Sequence, residues 1–222
     1  MRYSCLIIDH DDTTVNSTAT IHYPAYCEIM NKLRSHQPKL KQDLKGWFLK
    51  NFDPGVSNYY KKELKFNKKE QKIEYAVWRS YTENKELVPE FYDGILEILV
   101  KFQKKGGKVV VCSHSEADII GNHYRKKGNG FFPELIFGWN DDASKMKPEI
   151  YPVQKTMEKF NLQKSEILVV DDLKPGYIMA KRAEIDFAAA GWAHYIIPIE
   201  KFMRNHADFY LSEIEELSRL LF

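Results

Sequence analysis

The segment LIIDHDDTTVNS, residues 6–17, places Asp9, Asp11 and Asp12 directly after a short apolar run. A second acidic pair, Asp171 and Asp172, follows another apolar run in EILVVDDLKPG. Carboxylates gathered near one point repel: two unit charges about 4 Å apart cost about 1 kcal/mol in bulk water and about 4 kcal/mol at an effective dielectric near 20. A divalent cation makes such a cluster tolerable, and carboxylate oxygens supplemented by water suit Mg²⁺. Two further positions stand in similar surroundings. Ser113, with His114 and Ser115 behind it, follows KVVVC, and Lys147 opens KPEIYP. Taken singly, each feature is commonplace. A D-x-D occurs by chance, a Ser after a strand is ordinary turn or cap chemistry, and a Lys at a helix start is commonly solvated. Their meaning depends on whether the fold brings them to one place.

Five apolar runs read as strands: 3–9, 108–113, 135–139, 166–171 and 186–191. They are rich in Val and Ile and do not alternate with polar residues, the pattern of strands buried on both faces of a parallel sheet. Helical periodicity fills the intervals. Residues 93–107 carry Ile95, Leu96, Ile98, Leu99 and Phe102 at helical spacing and stop at a Gly-Gly pair. Residues 115–128 start with Ser115 as a capping candidate; 148–160 place Val153, Met157 and Phe160 on one face; 175–185 follow the fourth run. Alternating strands and helices with short connections predict an α/β fold, a doubly wound, Rossmann-like parallel sheet. One interval is far longer than a crossover helix needs. Residues 17–88 read as several helices, with a turn at 51–55 and the Lys-rich run KKELKFNKKEQK, a solvated helix face. The expected organisation is therefore a core of residues 1–16 and 89–222 interrupted by a helical insert. In an open parallel sheet, ligands bind outside the carboxyl ends of the strands. The acids, the Ser and the Lys all fall at those ends.

Composition limits the partners. The chain has 222 residues, 44% hydrophobic and 29% charged, ordinary for a globular protein. A net charge of +2 gives no argument for nucleic acid or an anionic membrane, and no apolar run is long enough to span a bilayer. The N-terminal run ends in acids and lacks the pattern of a signal peptide. Cys5, Cys27 and Cys112 have no C-x-x-C spacing, so reduced thiols in a cytoplasmic protein are expected.

With these motifs in this order, the sequence resembles the haloacid dehalogenase-like hydrolase superfamily over nearly its whole length. Asp9, Asp11 and Thr13 match its D-x-D-x-T motif, Ser113 its second-motif hydroxyl and Lys147 its third-motif lysine. Asp171 and Asp172, followed by Gly176, match the acidic-pair variant of the phosphoglycolate phosphatase and β-phosphoglucomutase branch. The insert at 17–88 lies where that branch carries its helical cap domain, and the closing ADFYLSEIEELSRLLF looks like its last strand and helix. The resemblance implies an Mg²⁺-dependent phosphatase acting on a small organic phosphate monoester. A monomer or weak homodimer is expected, although the sequence carries no signal for oligomeric state. Asp9 would be nucleophile and metal ligand, giving an aspartyl-phosphate. Asp11 would be the acid/base and lend a backbone oxygen to the metal, and Asp171 and Asp172 would complete the metal set. Ser113 and Lys147, with the backbone N–H of His114, would hold phosphoryl oxygens. Thr13 would bond locally and support the loop.

Three positions depart from the family pattern. Asp12 stands where Gly is usual and is expected to be a surface turn acid. His114 stands where Asn is common, and His10 replaces an apolar residue. In the insert, His22 is expected to be a packed or surface histidine, and Trp47, Tyr59, Tyr60 and Trp78 to form the insert's own core. A phosphomutase of the same branch is the nearest competitor. Those enzymes use a cap histidine five residues after an acidic hinge position, whereas here Asn16 replaces the acid and His22 lies six residues on. A 2-haloacid dehalogenase lacks the second aspartate, so Asp11 counts against it. A receiver-type signalling module carries its acidic pair at strand one and its phosphorylated Asp later, the reverse of this order. A catalytically idle phosphate-binding protein would not need every catalytic position filled.

Overall fold

The structure is a computed structural model and describes residues 1–84 and 86–222. The strands are β1 (Cys5–Ile8), β2 (Lys108–Cys112), β3 (Leu135–Phe137), β4 (Ile167–Asp171), β5 (Asp186–Ala190) and β6 (Phe209–Leu211). They form a single parallel sheet in the order β3-β2-β1-β4-β5-β6. The chain winds outward from β1 to β3, then jumps back across β1 to β4. The winding reverses at β1, and a crevice opens at the carboxyl end of such a reversal. Asp9 is the first residue beyond that strand end.

The sheet is buried on both faces, which explains why its strands do not alternate. On one face Leu6, Ile8, Val109, Val111, Leu168 and Val170 join a core with Ile95, Leu99 and Phe102 of the helix Ile95–Lys104 and Leu217 and Leu221 of the helix Ile214–Leu221. On the other, Cys112 touches Met179 and Phe187 meets Tyr177 edge-on, both partners lying on the helix Lys174–Ala183. Each fully buried Leu, Ile or Val contributes about 1.5–3 kcal/mol. The helix Ile95–Lys104 ends where expected, because Gly106 (φ +91°) adopts a turn that L side chains resist.

The chain divides into two compact units, Met1–Asn16 with Glu90–Phe222, and Ser17–Pro89. The second is helical. Its main helices are Tyr23–Leu33, Leu44–Phe52 and Lys68–Thr82. The last carries a capping box, in which Asn67 accepts from Glu70 N–H and the Glu70 carboxylate accepts from Asn67 N–H. The core of this unit is aromatic. Trp47 stacks on Tyr26 at 4.2 Å, Tyr59 and Tyr60 are buried beside them, and Trp78 packs against the cluster. His22 stacks on Trp78 at 5.1 Å, a packed histidine of this unit. No helix among the described residues is long and apolar enough to cross a membrane.

Candidate active site

The parallel register sets the site. Ile8 pairs with Val111 on one side and Val170 on the other, so Asp9 emerges level with Cys112 and Asp171. Asp9 N–H still bonds to Val170 C=O at 2.9 Å, which anchors the residue to the sheet. Asp9, Asp171 and Asp172 are all buried, and each presents a carboxylate oxygen within 4.8 Å of the others. Lys147 lies among them. Its Nζ donates to Asp9 Oδ1 and Asp171 Oδ2, both at 2.6 Å, and its side chain is 5% exposed.

Burial pushes the Asp9 carboxyl well above the ordinary carboxylate range. Lys147 opposes the rise, while Asp171, Asp172 and Asp11 add to it. Asp171 is raised to about 6 by burial, again against the pull of Lys147. Burial works against the Lys147 charge, but Asp171 and Asp9 outweigh it and hold the ammonium protonated far into the basic range. With all three carboxyls ionised, one ammonium leaves two negative charges in excess, which a dication would cancel. The donors are all carboxylate oxygens, the set that suits Mg²⁺ rather than softer metals. The residues present therefore fit the metal that the sequence implies.

Asp171 is held in place by the start of the next helix. Its Oδ1 accepts from Leu173 N–H at 2.7 Å. A Cβ on Gly176 would stand 2.2 Å from Asp171 Oδ2, so only glycine lets the helix Lys174–Ala183 approach this carboxylate. Asp172 is gripped by side chains from two other loops: Oδ1 accepts from Thr13 Oγ1 at 3.1 Å, and Oδ2 lies 3.2 Å from His194 Nε2. Thr13 thus bonds to a residue on the far side of the sequence. The expectation of a local bond is corrected: the β1 loop curls back, with Thr14 N–H and Val15 N–H both on His10 C=O, and turns the Thr13 hydroxyl toward β4.

Asp11 is more open than the others. Its Oδ2 accepts from Ser113 Oγ at 2.8 Å and Ser115 Oγ at 2.7 Å, and Ser115 N–H donates to Ser113 Oγ at 3.0 Å. Ser115 was expected to cap the following helix. Instead Glu116 occupies the cap position of Ala117–Lys127, and the Ser115 hydroxyl is committed to Asp11. His114 Nε2 lies 2.7 Å from Lys147 C=O. Loss of water around the ring and the Lys147 charge push the imidazole down to about 4, a shift tempered by the part of the residue that faces solvent. The neutral ring then donates Nε2–H to that carbonyl and ties the Lys147 loop to β2.

Asp12 is not a surface acid. It is 3% exposed with φ +60°, because Asp12 N–H bonds to Val15 C=O at 2.7 Å and closes a tight turn that favours glycine. His10 is fully buried; its Nε2 lies 3.0 Å from His123 Nδ1, and its Nδ1 lies 3.2 Å from Thr14 Oγ1. Sequence reasoning placed Ser115 at the strand end but not its bond to Asp11, and it missed His194 and Trp192, whose Nε1 donates to Thr13 C=O at 3.1 Å. The available signal for the last two was their position just beyond the carboxyl end of β5.

The chain is similar to known proteins in sequence and in fold. A pyrophosphatase, PpaX, from Bacillus cereus (strain B4264) is 24% identical over 193 residues, covering 86% of this chain and 85% of its own. The fold matches a haloacid dehalogenase-like family protein from Streptococcus pneumoniae with TM-score 0.75 and 15% identity, over 99% of both chains. It also matches a predicted phosphoglycolate phosphatase from Haemophilus somnus with TM-score 0.72 and 16% identity, over 99% of this chain and 98% of the other. At such identities the structural matches speak for the fold. The family is shown by the haloacid dehalogenase-like hydrolase model, which matches residues 6–190, from Leu6 within β1 to the end of β5, with Asp9, Asp11, Asp12, Asp171 and Asp172. The chain is an enzyme of the haloacid dehalogenase-like hydrolase family.

Proposed function

We propose that the protein is an Mg²⁺-dependent phosphatase that cleaves a small organic phosphate monoester through an aspartyl-phosphate on Asp9. The observation that carries this reading is the pairing of a buried, lysine-bound Asp9 with a second, more open aspartate two residues on. Asp9, Asp171 and Asp172 would hold the cation, with the Asp11 backbone carbonyl adding an oxygen. The bound cation would offset charge on the phosphoryl group and its repulsion from the nucleophile.

An Asp9 carboxylate oxygen attacks phosphorus as the bond to the leaving alkoxide breaks. The Asp11 carboxyl, held by Ser113 and Ser115, gives its proton to that alkoxide. It then takes a proton from the water that attacks the acyl phosphate, releasing phosphate and restoring Asp9. Lys147 opposes the rise that burial imposes on the Asp9 carboxyl and keeps it correctly turned, and stands ready to share its charge with phosphoryl oxygens. Ser113 and the backbone N–H of His114 offer donors to the same oxygens. The helical unit is assigned the task of discriminating among esters. The pyrophosphatase relative favours placing pyrophosphate beside the monoesters in any substrate panel.

The test is a screen of purified protein over some tens of phosphorylated metabolites and pyrophosphate, with Mg²⁺ and with EDTA. Cation-dependent phosphate release, lost in Asp9→Asn and Asp11→Asn, is expected. No hydrolysis across the panel, or full activity in Asp9→Asn, rejects the reading. Isomerisation of a sugar phosphate without net phosphate release would point to a mutase instead.

A further inference from the structure

The proposed reaction gives no part to His194, yet this residue touches Asp172. Its Nε2 lies 3.2 Å from Asp172 Oδ2; the His194 side chain is 9% exposed and that of Asp172 is fully buried. His194 belongs to the loop that leaves the carboxyl end of β5, and β5 pairs directly with β4, which ends at Asp171. Opposite it, Thr13 Oγ1 donates to Oδ1 of the same carboxylate at 3.1 Å. Trp192, two residues before His194, donates to the Thr13 carbonyl at 3.1 Å. The β1 loop and the β5 loop therefore hold the two oxygens of Asp172 from different directions, and they are tied to each other.

A carboxylate that binds a metal is ionised and can only accept hydrogen bonds. The proton between His194 and Asp172 therefore resides on Nε2, and the imidazole donates. An N–H at that place restricts rotation of the carboxylate about its Cβ–Cγ bond and fixes which lone pairs remain for a cation. Residues that hold a metal ligand in this manner typically alter metal affinity or activity about 10–100-fold when removed. We infer that His194 is a positioning residue of the metal centre, orienting the Asp172 carboxylate through an Nε2–H to Oδ2 hydrogen bond. This rests on the reading of Asp172 as a metal ligand. A histidine that merely packs the loop would matter for stability and leave cation affinity alone.

The experiment measures Mg²⁺ binding to the EDTA-stripped full-length chain by isothermal titration calorimetry. It compares wild type with His194→Ala, His194→Gln and Asp172→Asn, and records each thermal midpoint without cation. His194→Ala is expected to weaken Mg²⁺ at least about 10-fold. His194→Gln, whose side-chain N–H can occupy the place of Nε2–H, is expected to recover most of the affinity. His194→Phe keeps the ring without the donor and supplies the same comparison if the alanine variant does not fold. The inference is overturned if the donor-less variant binds Mg²⁺ as tightly as wild type, or if the folded glutamine variant is no better than the donor-less one. A wild type that binds no Mg²⁺, or an Asp172→Asn variant that binds it undiminished, overturns instead the assignment of Asp172 as a ligand.

Discussion

Replacing Lys147 by Met keeps most of the side-chain volume and removes the charge. Nζ is 2.6 Å from both Asp9 Oδ1 and Asp171 Oδ2, and none of the three side chains is more than 5% exposed. Each contact is worth about 6 kcal/mol gross at an effective dielectric near 20. The burial cost of the ammonium itself, several kcal/mol, offsets part of that. Without Lys147, two buried carboxylates lose their partner, and the cheapest relief is for one to take a proton. From an ordinary carboxyl value of 3.8, holding that proton at about pH 7.5 costs about 5 kcal/mol, at about 1.4 kcal/mol per pH unit. At about pH 4.5 the same proton costs about 1 kcal/mol. The sign follows from proton counting. An acid whose folded pKa is raised binds more protons folded than unfolded, so stability falls as pH rises from the unfolded value to the folded one. Lys147→Met raises the folded values of Asp9 and Asp171 further and extends that window upward. Wild-type Asp171 already stands at about 6 and carries about 3 kcal/mol of that cost at about pH 7.5, so the expected deficit against wild type is about 2 kcal/mol at about pH 7.5, vanishing toward about pH 4.5. Urea unfolding of both proteins at the two pH values, without divalent cations, measures it. An equal deficit at both would mean that the loss is one of packing, and the electrostatic account of the cluster would be wrong.

Gly176→Ala should lose activity at least about 10-fold, because the new Cβ must displace the Asp171 carboxylate from 2.2 Å away and draw it off Lys147. Helix propensity alone predicts a gain of about 1 kcal/mol for this change, so a stabilised, fully active variant in a melting and turnover assay would refute the geometry. Asp12→Gly should relieve a left-handed residue at φ +60° and raise or keep the thermal midpoint, with a gain of up to about 1–2 kcal/mol. A tenfold loss of turnover would instead give the buried Asp12 carboxylate a part in the site. In the helical unit, burial raises Glu74 from 4.5 to about 7, against the pull of Lys61. Its contribution to stability therefore declines as pH rises from 4.5 toward 7. Glu74→Gln and wild type should melt together near pH 4.5, and the variant should melt higher at about pH 8; coincident melts at both pH values would contradict this.

The contrast between what could and could not be foreseen has a physical origin. The strands were readable because burial on both faces leaves a continuous Val and Ile signature in each run, and short connections between runs allow few topologies. The helical interruption was readable because 17–88 is too long for a crossover. Once the sheet was inferred, Asp9, Ser113, Lys147 and Asp171 had to approach one another, since parallel strands bring their carboxyl ends to one edge. What failed was the prediction of where individual side chains end. Ser115 matches a helix cap, and only the placement of Asp11 beside it makes the carboxylate its acceptor. Asp12 reads as a surface acid because acids in turns are usually solvated, but its burial depends on the β1 loop folding back through Val15. Thr13 and His194 meet on Asp172 from positions 181 residues apart in sequence, a pairing no local pattern contains. Sequence periodicity reports which backbone segments meet, while the hydrogen bonds that orient the acids are made by loop side chains whose targets exist only after the sheet has assembled. The residues that carry charge at this site were therefore recoverable from strand ends, and those that aim the charge were not.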